Sequence, residues 1–380
     1  MPFAVYLLGL AVFAQSTSEF MLSGLVPDIA ADLDVSIAAA GYLTSAFAVG
    51  MIVGAPLLAI LARRWPQRRA VTAFLVMFAA AHVLGALTSS YAVLLVTRIV
   101  AALANAGFWA LATTVAVALV APDAKGRAMS VVMGGVTLAC VAGVPGGAVL
   151  GQAWGWRSAF WAVAALAVAA TIAVVRTIPV SKPDTEATAV RPLLRRPLLL
   201  TYATNALVQG ATFCTFTYLA PLVTEVAGLS EAWVPATLVL FGIGACVGIV
   251  FGGRVADARP RTVLLTGTAA LTVGWVALAL SAASPVVTLV LVFLQGMLAF
   301  GLAPALTARV FYQAPGNALA GGFTTAAFNV GNTLGPALGG LALDAGLGFR
   351  SPVVVSALLM VVSVAQVYGQ VRPARREVGA

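Results

Sequence analysis

Ionisable side chains are scarce in this 380-residue chain, and two of them stand where the neighbouring sequence is apolar. Glu19 lies in QSTSEFMLSGL and Arg98 in YAVLLVTRIVAAL. If each stretch is a helix crossing a bilayer, a rise of 1.5 Å per residue puts Glu19 roughly 9 Å and Arg98 roughly 10 Å below the same surface. An intramembrane charge costs at least about 2.5–3.5 kcal/mol, so such groups face a cavity or a partner. Two readings stay open. Glu19 and Arg98 form a static pair that holds helices together, or Glu19 exchanges a proton as its wetting and its distance from Arg98 change. Arg98 keeps its charge, so it can tune a proton site but cannot carry the proton. His82 is the only histidine and sits at a similar depth; a lone histidine there is read as packed or hydrogen-bonded. Cys140, Cys214 and Cys246 lie singly, without metal-ligand spacing, and there is no GK[ST] loop to cradle a phosphate. The expectation is no cofactor, no metal and no enzymatic chemistry.

The elements that would hold these groups are legible in composition and pattern. Hydrophobic residues make up 61% of the chain and charged residues 9%, with a mean hydropathy of +1.03, against roughly 25% charged in a soluble domain. Bilayer is the solvent that composition fits. Apolar runs long enough to span it fall near 3–25, 37–61, 70–88, 91–118, 128–150 and 157–177. A second set falls near 199–221, 234–254, 261–281, 285–308, 320–342 and 350–371. GVPGGAVLGQAWGWRS at 143–158 is echoed by GPALGGLALDAGLGFRS at 335–351, and Gly147–Gly340 and Arg157–Arg350 are each 193 residues apart. A repeat of half the chain means two copies of one large unit. The expected fold is therefore an all-α membrane protein of twelve transmembrane helices in two six-helix pseudo-symmetric bundles. The bundles cover residues 1–177 and 198–380, joined by a polar linker at 178–197.

With the N-terminus inside, 18 of the 21 lysines and arginines fall on the cytoplasmic side, which fits both termini in the cytoplasm. The net charge of +9 is thus topology and not a nucleic-acid footprint. The first span begins almost at Met1 without a basic leader and reads as a retained helix.

Helical spacing sketches a cavity, because positions three, four and seven apart share a face. Arg98, Asn105 and Trp109 align in the fourth span. Tyr202, Asn205, Gln209, Thr212 and Phe216 form a polar and aromatic stripe in the seventh. Gln15 and Ser16 precede Glu19 by a turn, and Asn329 and Asn332 add amides in the eleventh. Amides and aromatics without a second fixed charge suit a neutral or weakly polar aromatic molecule. The alternative for each aromatic is helix packing or lipid contact.

These residues resemble the major facilitator superfamily, and within it the twelve-span drug/proton antiporters. Gly331, Gly335, Pro336, Gly339 and Gly340 match that family's GxxxGPxxGG motif; Gly143, Pro145, Gly146 and Gly147 form a looser copy in the fifth span. The prolines should bend their helices and the glycines should let another helix approach, for packing or for a conformational switch. Gly253, Asp257 and Arg259 match a cytoplasmic gating loop. Its first-half counterpart, AILARRWPQRR, lacks the acidic residue. Arg98 matches a fourth-helix basic residue that the family links to proton transfer, although Ala102 replaces the family's glycine.

TSEFMLSGLVPDIAADL, RIVAALANAGFWA and AGVPGGAVLGQAWGWRS also resemble actinobacterial chloramphenicol-resistance exporters. The resemblance implies a monomer-competent transporter in a bacterial cytoplasmic membrane that exports a small apolar drug by alternating access, driven by protons. Export of a sugar, nucleoside or natural product by the same machinery is the second reading. A non-transporting membrane sensor or scaffold is the third.

Overall fold

The computed structural model describes residues 2–61, 65–121, 125–178, 194–258, 260–314 and 320–371. Without water in a bilayer core, each backbone N–H and C=O must find its partner within its own segment, and helix is the result. The first half builds α1 (Phe3–Phe20), the short α2 (Val26–Asp32), α3 (Ile37–Leu61), α4 (Gln67–Leu87) and α5 (Tyr91–Ala118). It continues with α6 (Lys125–Leu138), α7 (Val144–Trp154) and α8 (Arg157–Thr177). The second half builds α9 (Arg196–Thr217), a three-residue turn α10 (Leu219–Pro221), α11 (Trp233–Ala258), α12 (Pro260–Ser281), α13 (Pro285–Gln313), α14 (Ala320–Asp344) and α15 (Ser351–Val371).

Ten of these segments are long and apolar enough to cross a membrane, or eleven when the α9 helix and its continuation Leu219–Val226, bent by 58°, count as one span. The remaining long rod is α14, whose 25 residues would reach across about 30 Å. Its Asn, Thr and Gly content keeps it less apolar than the rest. Taking α6 with α7, and α9 with its continuation, as single rods gives twelve among the described residues. Large apolar side chains such as Leu280, 80% exposed, face outward, as lipid contact requires.

Where the fifth span was expected to kink at Pro145, the helix instead widens into a π turn over Ala139–Gly143 and resumes as α7 with the proline in its first turn. Because the rod continues through this turn, Pro145 still brings no N–H to it, and the widened turn just before the proline absorbs the missing bond. Pro336 does lie inside a helix, α14.

The repeated sequence folds twice into one turn. Gly155 and Gly348 take φ of 79° and 76°, a left-handed conformation that glycine tolerates. Ser158 N–H reaches Gly155 O, and Ser351 N–H reaches Gly348 O, each at 3.0 Å. In the first copy Arg157 Nη1 then pairs with Asp32 Oδ2 at 2.6 Å.

Buried apolar clusters follow the two halves. One pair is built almost wholly from α1–α8 and another from α9–α15. Between the halves α3 packs along α14, and α11 packs on the π turn and α7. Tyr218 belongs to the second half but is buried in a first-half cluster. Its ring fills the space above Gly41, and its hydroxyl donates to Pro336 O at 2.9 Å. Tyr42 Oη donates to Asp344 Oδ2 at 2.9 Å and Ser45 Oγ to Thr333 O at 2.8 Å, both from α3 to α14. The halves are thus sealed at the end of the molecule where α1 finishes. Most of the 178–197 linker, and eight of the 18 basic residues used to orient the chain, lie outside the described residues.

Candidate functional site: a carboxyl on an inter-half cavity

Glu19 occupies the last turn of α1, just before the chain tightens into the 3-10 turn Met21–Gly24. Their azimuth on α1 points Glu19 and Phe20 toward the second half. Phe20 stacks on Phe213 of α9 at 5.1 Å between centroids. The Glu19 side chain is partly exposed to a cavity, yet it lies deep beneath the outer surface of the molecule. The cavity has a volume of about 10 Å³, room for little more than one water molecule, and is lined by Glu19, Phe20, Thr44, Phe47, Ala48, Phe213, Asn329 and Asn332. Helices α1 and α3 of one half and α9 and α14 of the other supply its walls.

Arg98, on α5, is 1% exposed. Its Nη1 donates to Ser18 Oγ at 2.9 Å and its Nη2 to Ser18 O at 2.8 Å, while the guanidinium lies over the Phe47 ring at 4.4 Å. Its Nε has no partner. No ion pair joins it to Glu19, although the two charges are close enough to act on each other. Asn105, two turns along α5, lies beside the Glu19 carboxyl, but neither of its amide atoms makes a hydrogen bond of acceptable geometry.

Unpaired polar atoms lie on and beside this cavity: Asn329 Oδ1 and Asn332 Oδ1 on its wall, and both amide atoms of Gln15, one turn before Glu19, and of Asn105, beside it, are buried without partners. Both amide atoms of Asn205 and the Tyr202 hydroxyl are also unpaired, but on a part of α9 that does not line the cavity. Leaving such a group unsatisfied costs about 1–3 kcal/mol. Several together on helices around one cavity mark a place where the chain forgoes internal pairing to offer donors and acceptors inward.

The other expected site residues are distributed as follows. Ser16 is buried in α1, and Trp109 packs against first-half apolar clusters. Thr212 returns its hydroxyl to Val208 O at 2.8 Å, and Gln209 is half-buried. Phe216 sits in the second-half core against Phe241 at 4.5 Å, and Tyr202 stacks on Phe323 at 6.4 Å. Phe20, Thr44, Phe47, Ala48 and Phe213 line the cavity without having been expected there. Thr44, Phe47 and Ala48 do share one face of α3 at spacings of three and four, a pattern no charge drew attention to.

The glycine motifs differ in what surrounds them. A side chain at Gly331 would meet Ala206 O, at Gly335 Gly210 O, at Gly339 Cys214 Sγ and at Gly340 the Tyr42 ring. At Gly143 it would meet Thr17 Oγ1, and at Gly147 Met21 at 3.3 Å, whereas Gly146 has nothing within 4 Å. So α9 and α1 each press against a glycine row of a pseudo-equivalent helix. The side-chain surroundings of Gly253 and Asp257, and the whole of Arg259, lie outside the described residues.

Comparison with known proteins converges on one family. The model of the Major Facilitator Superfamily matches residues 8–318 and 236–379. The chain is 50% identical over 371 residues to a chloramphenicol resistance protein of Streptomyces lividans, covering 96% of this chain and 95% of that one. It is 33% identical to the inner membrane transport protein YdhP of Escherichia coli strain K12, over 93% of this chain and 92% of that one. Among solved structures, a bacterial homolog of the human lysosomal transporter Spinster, inward-facing and unoccupied, superposes with a TM-score of 0.78. That likeness has 17% identity and covers 96% of this chain and 95% of the other. With twelve helical rods, a multi-pass apolar surface and these relatives, the chain belongs to the Major Facilitator Superfamily, as a membrane transporter and not an enzyme.

Proposed function

We propose that this transporter exports a small, largely apolar aromatic drug, an amphenicol, from a bacterial cytoplasm against an inward flow of protons. The observation that carries the reading is Glu19: a carboxyl on the wall of a cavity between two halves, near a buried guanidinium but not paired with it. A carboxylate already closed into an ion pair would have no reason to take up a proton; this one is free to do so as the cavity opens to one side or the other. Arg98 is its electrostatic neighbour. Aromatic rings (Phe20, Phe47, Phe213) and neutral amides (Asn329, Asn332) supply the remaining wall, a lining for a ligand with one aromatic body and a few polar groups. The kinship with a chloramphenicol resistance protein supports that choice.

With a volume of about 10 Å³ the cavity is far smaller than the roughly 300–1,000 Å³ of ligand pockets. Substrate therefore enters only when the bundles of residues 1–177 and 198–380 part. The seal where α1 finishes is taken as the outer closure, with both termini cytoplasmic and one chain sufficient for transport.

The test is accumulation in reconstituted vesicles. Glu19→Gln should abolish chloramphenicol accumulation driven by a pH gradient while leaving exchange down a substrate gradient within about threefold, since exchange needs binding and rocking but no proton. A Glu19→Gln protein that still concentrates chloramphenicol under a pH gradient would remove Glu19 from coupling. Sugars and nucleoside analogues as competitors decide the substrate class.

A further inference from the structure

His82 has no place in the mechanism so far, yet it is wired to the site. It is 1% exposed on α4, with its ring between Phe78 at 4.2 Å and Phe160 at 5.7 Å. Its Nδ1 is 2.8 Å from Phe78 O and its Nε2 is 2.6 Å from Ser18 Oγ. Ser18 is also the residue that receives both Arg98 bonds.

Donor and acceptor identities fix the direction of this chain. A carbonyl oxygen only accepts, so His82 Nδ1 carries a hydrogen; a guanidinium only donates, so Ser18 Oγ accepts from Arg98. The single hydroxyl hydrogen of Ser18 is then free to point to Nε2, which can accept it only if the imidazole is neutral. Protonation at Nε2 would turn two cationic donors onto one hydroxyl and leave the hydroxyl hydrogen without its acceptor. The titratable groups facing this centre are Glu19 from α1, His82 from α4 and Arg98 from α5, with Cys140 of the π turn facing Glu19. Phe47 of α3 and Phe160 of α8 close it with uncharged rings.

We infer that His82 is a positioning residue for the Glu19 site: as a neutral Nδ1–H imidazole it takes the Ser18 hydroxyl hydrogen, and so turns Ser18 to hold Arg98 beside Glu19 but short of an ion pair. This assignment rests on Glu19 being the coupling carboxyl. Without His82, the Ser18 hydroxyl hydrogen loses its acceptor and Arg98 loses a fixed dock. The guanidinium then closes on Glu19, and a carboxylate kept in that pair no longer cycles its proton.

Two measurements test it. Because the chain has a single histidine, ¹⁵N-histidine-labelled protein in lipid gives one imidazole spectrum. A protonated Nδ1 and bare Nε2 are expected, unchanged from about pH 5.5 to 8 where a free imidazole would titrate, with the Nε2 signal moving in Ser18→Ala. An Nε2–H tautomer, or an imidazole that titrates in that range, overturns the assignment. In vesicles, His82→Leu should lower pH-driven accumulation about tenfold and leave exchange within about threefold, and His82→Gln should restore most of the loss by offering an amide oxygen to Ser18. Unimpaired His82→Leu, or His82→Gln as defective as His82→Leu, also overturns it. If Glu19→Gln itself still concentrates substrate, the coupling role of Glu19 fails, whereas the spectrum continues to decide the Ser18–His82 bond independently.

Discussion

Removing the two side-chain hydrogen bonds that tie α3 to α14 should unseal the end of the molecule where α1 finishes. Ser45 donates to Thr333 O at 2.8 Å in a partly buried position, and Tyr42 donates to Asp344 Oδ2 at 2.9 Å nearer the surface. The first bond is worth about 0.5–1.5 kcal/mol net. The second has a charged acceptor but is open to solvent, so it is worth no more than about 1 kcal/mol. Both cross between the halves, and both are lost when the helices part. Ser45→Ala with Tyr42→Phe should therefore raise the open-to-sealed ratio by about 1.7 kcal/mol, or roughly 15–20-fold. Spin labels at Trp154 and Leu347, exposed positions of the two halves at this end, would read that ratio in lipid nanodiscs by pulsed EPR, with the three native cysteines replaced by serine. A change below about threefold in the double variant would show that apolar packing, including Tyr218 against Gly41, sets the closure and that the estimate from these bonds is wrong.

Two further outcomes follow from the geometry. Gly335→Ala places a methyl group against Gly210 O, a backbone atom that cannot yield, and should lower the midpoint of thermal unfolding or prevent folding; Gly146→Ala meets nothing within 4 Å and should be neutral or stabilising by up to about 1 kcal/mol. Equal effects in detergent-solubilised protein would contradict the close approach of α9 to α14. The Asp28 carboxyl, on α2 outside the spans, is held above its usual range by burial and then by the nearby negative charge of Glu231 across the halves. A group that binds its proton more tightly in the sealed state stabilises that state as pH falls, and the effect fades as pH rises through the raised value. The EPR ratio should thus favour closure in acid, and Asp28→Asn should flatten the dependence; an unchanged pH response in the variant would exclude Asp28 as its source.

Much of the architecture could be read from the sequence because hydrocarbon solvent leaves few alternatives. Long apolar runs became rods, and the repeated GWRS and GFRS became one glycine turn used twice. The site was harder. Counting rise per residue fixed the heights of Glu19 and Arg98 but not their azimuths. Ser18 and Glu19 point about 100° apart around α1, and that rotation gives Arg98 to Ser18 and leaves Glu19 on the cavity. Charges drew attention to the fourth span, whereas α3 supplies Thr44, Phe47 and Ala48 to the wall; nothing in their types distinguishes wall from packing until the two halves are brought together. The π turn was equally hidden, because a proline signals a lost hydrogen bond but not which neighbouring turn will widen to absorb it.

The modest hydropathy of α14 has a consequence for biogenesis. A segment carrying Asn329, Asn332 and several threonines and glycines partitions into lipid less readily by itself than the other rods do. Its natural shelter is α9, which presses on its glycine row, and α3, which runs along it; both leave the ribosome long before it. Integration of this helix is thus expected to depend on earlier helices already waiting in the membrane, and a chain lacking α3 or α9 should strand it at the insertion machinery.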